Sequence, residues 1–361
     1  DLPHGKYYIQ EVEHKPGYLP NDEVYSFDAS YTDQTLELLA FSEEISNQPT
    51  ITEFTKVDLT GGQEIEGAKM QILDQDGKVV EEWVSKKEPH VVYALEPGEY
   101  VLHEEQAPTE QGYVRAEDVK FVVEETGDVQ KVKMEDDHTK VSISKTDITD
   151  GKEIEGAKLQ ILDQDGEVVE SWTTGEEHLI EYLPIGTYTL HEEAAVDGYI
   201  VANDVEFTVE ETGEIQKVKM EDERAMGQLV IVKTDTDSKT ALEGVEFVLL
   251  EKETGEEVGR LKTGKDGKAV SELLPIGTYE NGVFKEPITY VLKETATLKG
   301  YEKTEEEWEI VFTYQNDKTP VIEVVKEIQN KKIPETPGTV KPGPKTGDDT
   351  NWFLPLLADR K

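Results

Sequence analysis

Glu64-Ile65-Glu66-Gly67-Ala68-Lys69-Met70-Gln71-Ile72-Leu73-Asp74-Gln75-Asp76-Gly77 recurs almost unchanged at residues 153–166. Self-similarity at domain spacing marks a tandem array, and it has to be recognised before any local reading. A looser third copy runs from Leu242-Glu243-Gly244-Val245 through Gly277, and Leu2-Pro3-His4-Gly5 to Gly17-Tyr18 matches only the later half of the unit. Outward from the repeated stretch the signal is β: short runs rich in Val, Ile, Thr and Tyr are separated by Asp-Gly, Pro-Gly and Thr-Gly turns. Asp76-Gly77 and Asp165-Gly166 are the best hairpin turns. Several short strands per unit and no long helical period predict an all-β chain of small antiparallel sandwiches. The expected domains are 1–49 (truncated), 50–137, 138–226 and 227–332, the last carrying an insertion near 280–287. Residues 333–361 read as a Pro/Gly linker and tail.

The 361 residues suggest several domains, and composition removes whole classes of function. A net charge of −42 repels phosphate backbones and anionic lipid, so nucleic acid is excluded as a partner. With no cysteine there are no disulfides, thiol chemistry or thiolate metal sites. Asp1-Leu2-Pro3-His4-Gly5 is not a secretory signal and reads as the middle of a domain, so the natural start is expected upstream.

Strand alternation shows which side chains share a face. Phe54 with Lys56, Val141 and Ile143 with Lys145, and Leu229 and Ile231 with Lys233 each place a lysine on an apolar face. A later strand gives Tyr100, Leu102, Glu104; Tyr188, Leu190, Glu192; Tyr290, Leu292, Glu294; and, in the truncated copy, Tyr7, Ile9, Glu11. At the end of each unit come Val132, Met134, Asp136; Val218, Met220, Asp222; Ile328, Asn330; and Ile45, Asn47. Each whole repeat therefore directs one Lys, one Glu and one Asp or Asn inward. Burial disfavours charged forms and so favours a neutral amine beside a protonated acid. A neutral amine is a nucleophile, and a carboxyl or carboxamide polarised by a neighbouring Glu is a usable electrophile. Held in contact, the pair gains the large effective concentration of an intramolecular reaction. The product would be a Lys-to-Asp or Lys-to-Asn isopeptide bond, with water or ammonia lost. Parity alone leaves a second reading open, an unreacted buried ion pair.

These residues resemble the Cna B-type (SpaA-type, prealbumin-like) domains of Gram-positive surface adhesins and pilins. The motifs that carry the resemblance are Lys-x-Asp (Lys56 to Asp58, Lys145 to Asp147, Lys233 to Asp235), Leu-Pro-x-Gly-x-Tyr (Leu183 to Tyr188, Leu274 to Tyr279) and Tyr-x-Leu-x-Glu. The pairs Gly17-Tyr18, Gly112-Tyr113, Gly198-Tyr199 and Gly300-Tyr301 follow. The resemblance implies tandem Ig-like sandwiches in a rod, with cross-links Lys56–Asp136, Lys145–Asp222 and Lys233–Asn330 catalysed by Glu104, Glu192 and Glu294. In the truncated unit it assigns only Glu11 and Asn47, the lysine being expected before Asp1. Asp136 and Asp222 stand where the family more often has Asn, and Lys326 interrupts the final alternation, which predicts a bulge there.

Pro344-Lys345-Thr346-Gly347-Asp348 resembles the LPxTG sorting motif cut between Thr and Gly, here between Thr346 and Gly347, with Gly343 in place of Leu. Only a short apolar run, Trp352 to Ala358, follows it. Asp74-Gln75-Asp76-Gly77 starts like a calcium loop but lacks the remaining ligands, and His103-Glu104 and His191-Glu192 lack the second zinc histidine. Trp83 and Trp172 recur at one place, which argues for packing. No cofactor, metal or small-molecule substrate is expected. The expectation is a cell-wall-anchored extracellular stalk, a sortase substrate joined to peptidoglycan, presenting an N-terminal adhesive region that lies outside this sequence. It is not a turnover enzyme, since each site is consumed by its own reaction. Competing readings are a host matrix protein or glycan bound by the repeats, with the third unit's insertion the prime candidate, and a sortase-polymerised pilin.

Overall fold

The computed structural model describes residues 2–30 and 40–335. Nearly all regular structure in them is strand, and the one helical turn is Thr109–Gln111. In the first whole repeat one sheet orders His90–Tyr93, Ile51–Asp58 and Val129–Asp136, and the other orders Val79–Val84, Lys69–Leu73, Gly98–Gln106 and Val119–Val123. The second repeat copies this, with Lys140–Asp147 between His178–Glu181 and Ile215–Arg224, and with Lys158–Leu162 paired to Gly186–Ala194. In the third, Met226–Asp235 pairs with Val321–Asn330, and Glu246–Glu251 pairs with Thr289–Ala296.

The sandwiches are antiparallel with one exception that positions the site. The first and last strands of a repeat run parallel, with Lys56 opposite Met134 and Asp58 opposite Asp136. In the second repeat Lys145 lies opposite Met220 and Asp147 opposite Asp222. No tight turn can join parallel neighbours, so the rest of the repeat serves as the crossover between them. The alternation of side chains then fills the space between sheets. Phe54, Met70, Ile72, Leu102, Val132 and Met134 form one core. Val141, Ile143, Leu159, Ile161, Leu190 and Met220 form its counterpart in the second repeat.

Asp74-Gln75-Asp76-Gly77 is a hairpin turn: Gly77 N–H donates to the Asp74 carbonyl, and Asp74 Oδ1 accepts the amides of Asp76 and Lys78. Trp83 and Trp172 pack on their cores and stack on His90 and His178 at 4.3 and 4.5 Å. The final strand runs from Val321 to Asn330 without a break, and Lys326 stays on its inward face by laying its ammonium over the Trp308 ring. Burial alternates through Lys326 along this strand.

Packing divides the described chain into two compact units. The first holds Asp1–Met226 with Pro275–Glu286 and Tyr314–Pro320; the second holds Gly227–Leu274, Pro287–Thr313 and the chain from Val321. The third repeat's extra residues form a hairpin of Gly277–Glu280 with Val283–Pro287, and most of it belongs to the first unit. In the truncated unit Lys6–Ile9 pairs with Tyr25–Asp28 in a two-stranded sheet. Parity assigned Ile9 and Ile45 inward, yet they are 41% and 38% exposed, because no second sheet faces them among the described residues.

Candidate functional site

The parallel ladder brings the predicted residues of each whole repeat to one point between the sheets. Lys56 extends from the first strand and donates through Nζ to Asp136 Oδ1 on the last strand, and Nζ lies 2.9 Å from Glu104 Oε2 on the facing sheet. Lys145 donates likewise to Asp222 Oδ1 and lies 3.0 Å from Glu192 Oε2. In the third repeat Lys233 donates to Asn330 Oδ1 and lies 3.4 Å from Glu294 Oε2. All nine side chains are buried, none more than 4% exposed.

Parallel register explains the reach. Directly opposite Lys56 is Met134, so the acceptor lies two residues farther along the neighbouring strand, where a long extended side chain ends. The glutamate is fixed by a backbone donor that no sequence pattern announces. Ala116 N–H donates to Glu104 Oε2 at 2.8 Å and Ala202 N–H to Glu192 Oε2 at 2.7 Å. The truncated unit keeps the same device: Asn21 N–H donates to Glu11 Oε2 at 2.7 Å, and Asn47 Nδ2 donates to both Glu11 oxygens at 2.7 and 2.9 Å. These donors hold the half-buried Glu11 carboxyl below its ordinary range, Asn21 first and Asn47 second.

Burial pushes the Asp136 carboxyl up to about 7; Lys56 opposes the rise and Glu104 adds to it. Asp222 is pushed up to about 7 by burial in the same way, with Lys145 opposing and Glu192 adding. The buried oxygens Glu104 Oε1, Asp136 Oδ2, Glu192 Oε1 and Asp222 Oδ2 have no hydrogen-bond partner while both acids are ionised. A proton held on Asp136 or Asp222 and shared with the neighbouring glutamate supplies one. The third repeat does this with an amide: Asn330 Nδ2 donates to Glu294 Oε1 and to Thr297 Oγ1, each at 2.7 Å. Burial there lowers the Lys233 ammonium, against the opposing effect of Glu294. In every case the carbonyl carbon of Asp or Asn is presented to an amine, with a carboxyl beside both.

Two motifs that the sequence offered without a role meet around this site. Tyr199 OH donates to Asp147 Oδ2 at 2.7 Å and Tyr301 OH to Asp235 Oδ2 at 2.9 Å, so the Gly-Tyr tyrosine secures the Asp of Lys-x-Asp. Asp147 also accepts from Arg224 Nε at 2.6 Å and from the Thr149 amide at 2.7 Å. Burial would raise this carboxyl, but the donors, led by Tyr199, hold it below the ordinary range. His103 and His191 lie outside the triads and pair with Asp118 and Asp204, each at 2.7 Å. Tyr279, which ends the third repeat's Leu-Pro-x-Gly-x-Tyr motif, sits in the hairpin, and Tyr290 is the buried core tyrosine of that repeat. Thr346 and Gly347 lie outside the described residues.

The repeats match the SpaA family model, described as a prealbumin-like fold domain, at residues 50–138, 139–224 and 227–286. The chain belongs to this family. No curated protein matches it. Among solved structures, the Bacillus anthracis TIE protein is 27% identical with a TM-score of 0.52. That alignment covers 78% of this SpaA-type chain and 51% of the other, so this chain spans about half the length of that structure. BcpA, the major pilin subunit of Bacillus cereus, is 16% identical over 79% of this chain and 99% of its own, with a TM-score of 0.45. The full-length major pilin SpaD from Corynebacterium diphtheriae is 16% identical over 79% and 98%, with a TM-score of 0.35.

Proposed function

We propose that the chain is the structural stalk of an extracellular Gram-positive surface protein, stiffened by three self-formed intramolecular isopeptide bonds. The observation that carries this reading is the threefold recurrence of a buried amine on a carboxyl or carboxamide oxygen with a glutamate beside it. A merely structural ion pair would gain little from such deep burial, since desolvation offsets its attraction. Family membership and the absence of cysteine agree with a stalk whose staples are not disulfides.

In the first two repeats the lysine ammonium passes a proton to the aspartate, whose raised carboxyl is suited to take it. The neutral Nζ attacks Cγ, the C–N bond forms, and the tetrahedral intermediate expels a hydroxyl that leaves as water with a proton carried by Glu104 or Glu192. In the third repeat the same attack on Asn330 expels ammonia with Glu294 as the carrier. Each site turns over once and is then an amide, so the chain is not an enzyme in the ordinary sense. Anchoring by sortase to peptidoglycan at Thr346-Gly347, presentation of an N-terminal adhesive region, and an extracellular cell-wall location complete the proposal.

The test is the intact mass of the purified chain beside Glu104→Ala, Glu192→Ala and Glu294→Ala. The expected deficit is two waters and one ammonia, with one loss restored in each variant. A full unmodified mass in folded protein would reduce the triads to polar pairs and remove the covalent stalk.

A further inference from the structure

The glycines of the Gly-Tyr pairs are left unexplained by the cross-link chemistry. Gly112 has φ +78°, and a Cβ built on it would run into the backbone carbonyl of Tyr182, a residue of the following repeat. Gly17, with φ +82°, stands in the same relation to the carbonyl of Ala94. Ala94 and Tyr182 hold equivalent places just before Leu95 and Leu183, and both adopt a left-handed backbone at φ 59° and 61°. Non-glycine residues rarely accept that conformation without a compensating contact.

The hydrogen bonding around both corners is the same relay. Thr50 N–H donates to the Gly17 carbonyl at 2.9 Å, Ala94 N–H donates to the Thr50 carbonyl at 2.9 Å, and Thr50 Oγ1 donates to the Leu95 carbonyl at 2.6 Å. Thr139 N–H donates to the Gly112 carbonyl at 2.8 Å, Tyr182 N–H to the Thr139 carbonyl at 3.1 Å, and Thr139 Oγ1 to the Leu183 carbonyl at 2.7 Å. Both threonines are fully buried. At the second corner Tyr182 adds side-chain contacts. Its hydroxyl donates to Asp58 Oδ2 in the preceding repeat at 2.8 Å, its ring stacks on His138 at 3.9 Å, and Tyr113 meets it edge-on at 5.6 Å.

The third corner is closed by other means. A Cβ on Gly198 would lie 2.8 Å from Phe284 and 2.9 Å from the Tyr279 hydroxyl, which donates to the Gly198 carbonyl at 2.8 Å. Arg224 lies over the Tyr279 ring at 4.2 Å, and Tyr314 OH donates to the Tyr199 carbonyl at 2.9 Å. The inserted hairpin thus covers a Gly-Tyr corner with its aromatic side chains.

We propose that the Gly-Tyr corners at Gly17 and Gly112 are sockets for the next SpaA-type repeat, and that the bare glycine, by admitting the neighbour's backbone, fixes one repeat on the next. The partner each socket takes is the left-handed turn just before the neighbour's Leu183-Pro184 or Leu95-Glu96. The inference stands apart from the isopeptide reading, because none of these contacts involves the reacting groups. Gly300 provides an internal control: it shares φ +90° with Gly198, yet a Cβ there meets nothing within 4 Å among the described residues.

The test is the distance distribution between spin labels on Val122→Cys in the first repeat and Val168→Cys in the second, both exposed strand positions in a chain without other cysteines. The parent should give one narrow peak. Gly112→Ala should lose it while keeping the thermal transitions of the repeats, and Gly300→Ala should keep it, as should Tyr182→Ala, which gives the second corner the alanine that the first carries as Ala94. A broad distribution in the parent, or a narrow peak retained in Gly112→Ala, would overturn the proposal. Should Gly112→Ala fail to fold, Gly17→Ala decides, read between labels on the exposed Tyr8→Cys of the truncated unit and Val122→Cys of the first repeat. An unlinked chain revealed by mass with a narrow label distance would refute the covalent stalk and leave the joint standing.

Discussion

Replacing Glu104 by Gln should unlink the first repeat without emptying its core. The amide fills the same volume, and its carbonyl can still accept the Ala116 amide that holds Glu104 Oε2 at 2.8 Å. What it loses is the ability to carry the proton that the leaving hydroxyl needs. Lys56 and Asp136 are 80 residues apart, and closing a loop of that length stabilises a fold by about 4.5 kcal/mol through the unfolded chain, by analogy with a disulfide. For a domain of this size each kcal/mol moves the midpoint by about 4–8 °C, so the transition of the first repeat should fall by about 20 °C or more. Scanning calorimetry on the full chain should resolve that shift while the second and third repeats keep their transitions, and the intact mass, compared with the mass of the variant's own translated chain, should show one water loss fewer than the parent. A Glu104→Gln chain that still lacks the water, or one that regains it with an unmoved transition, would refute the reasoning at the catalytic or at the energetic step respectively.

Changing Asp136 to Asn exchanges the leaving group from water to ammonia, so the mature variant should have the same mass as the mature parent although the translated chains differ. Mass spectrometry that finds one unreleased ammonia would show that the first repeat depends on the acid. In Lys56→Met, Asp136 loses the cation that opposes its raised carboxyl, so burial holds that carboxyl still further above its ordinary range. A raised folded value contributes stability at low pH that is lost as pH rises through it, so this unlinked repeat should melt progressively lower from mildly acidic to mildly alkaline solution. A midpoint independent of pH would contradict the assignment. Tyr199→Phe keeps the buried ring but removes the donor to Asp147, a hydrogen bond to a charged acceptor worth about 1.5–3 kcal/mol, and calorimetry should register the loss in the second repeat.

Strand parity made the triads readable because burial acts on one face at a time: a lysine two residues after a core phenylalanine or isoleucine has to point at the core. That logic turned Lys56, Lys145, Lys233, Asp136, Asp222 and Asn330 inward, the family resemblance paired them, and the structure brings each pair into contact. It over-reached in the truncated unit, where the pattern is the same but no facing sheet covers Ile9 and Ile45 among the described residues. The orienting donors on Ala116 and Ala202 are backbone groups, which every residue carries, so composition could not mark them. The Gly-Tyr pairs were visible as motifs, yet their meaning depends on contacts such as Tyr182 to Asp58, 124 residues apart in different repeats. The extra hairpin of the third repeat was visible as added length, and only its aromatic packing at Gly198 shows where that length goes.

The parallel pairing of first and last strands also decides how much length each repeat can release. A chain pulled at both ends enters at Ile51 and leaves after Asp136, and the proposed bridge from Lys56 to Asp136 would lie on the shortest route between those points. Everything between the bridged residues hangs from that route as withheld slack: spans of 80, 77 and 97 residues in the three repeats. At about 3.4 Å per extended residue the three loops together hold back about 850 Å of contour. Once linked, the described chain behaves as a tether of fixed length, which cannot absorb a sudden pull by uncoiling and instead passes the whole load on to whatever is attached at its two ends.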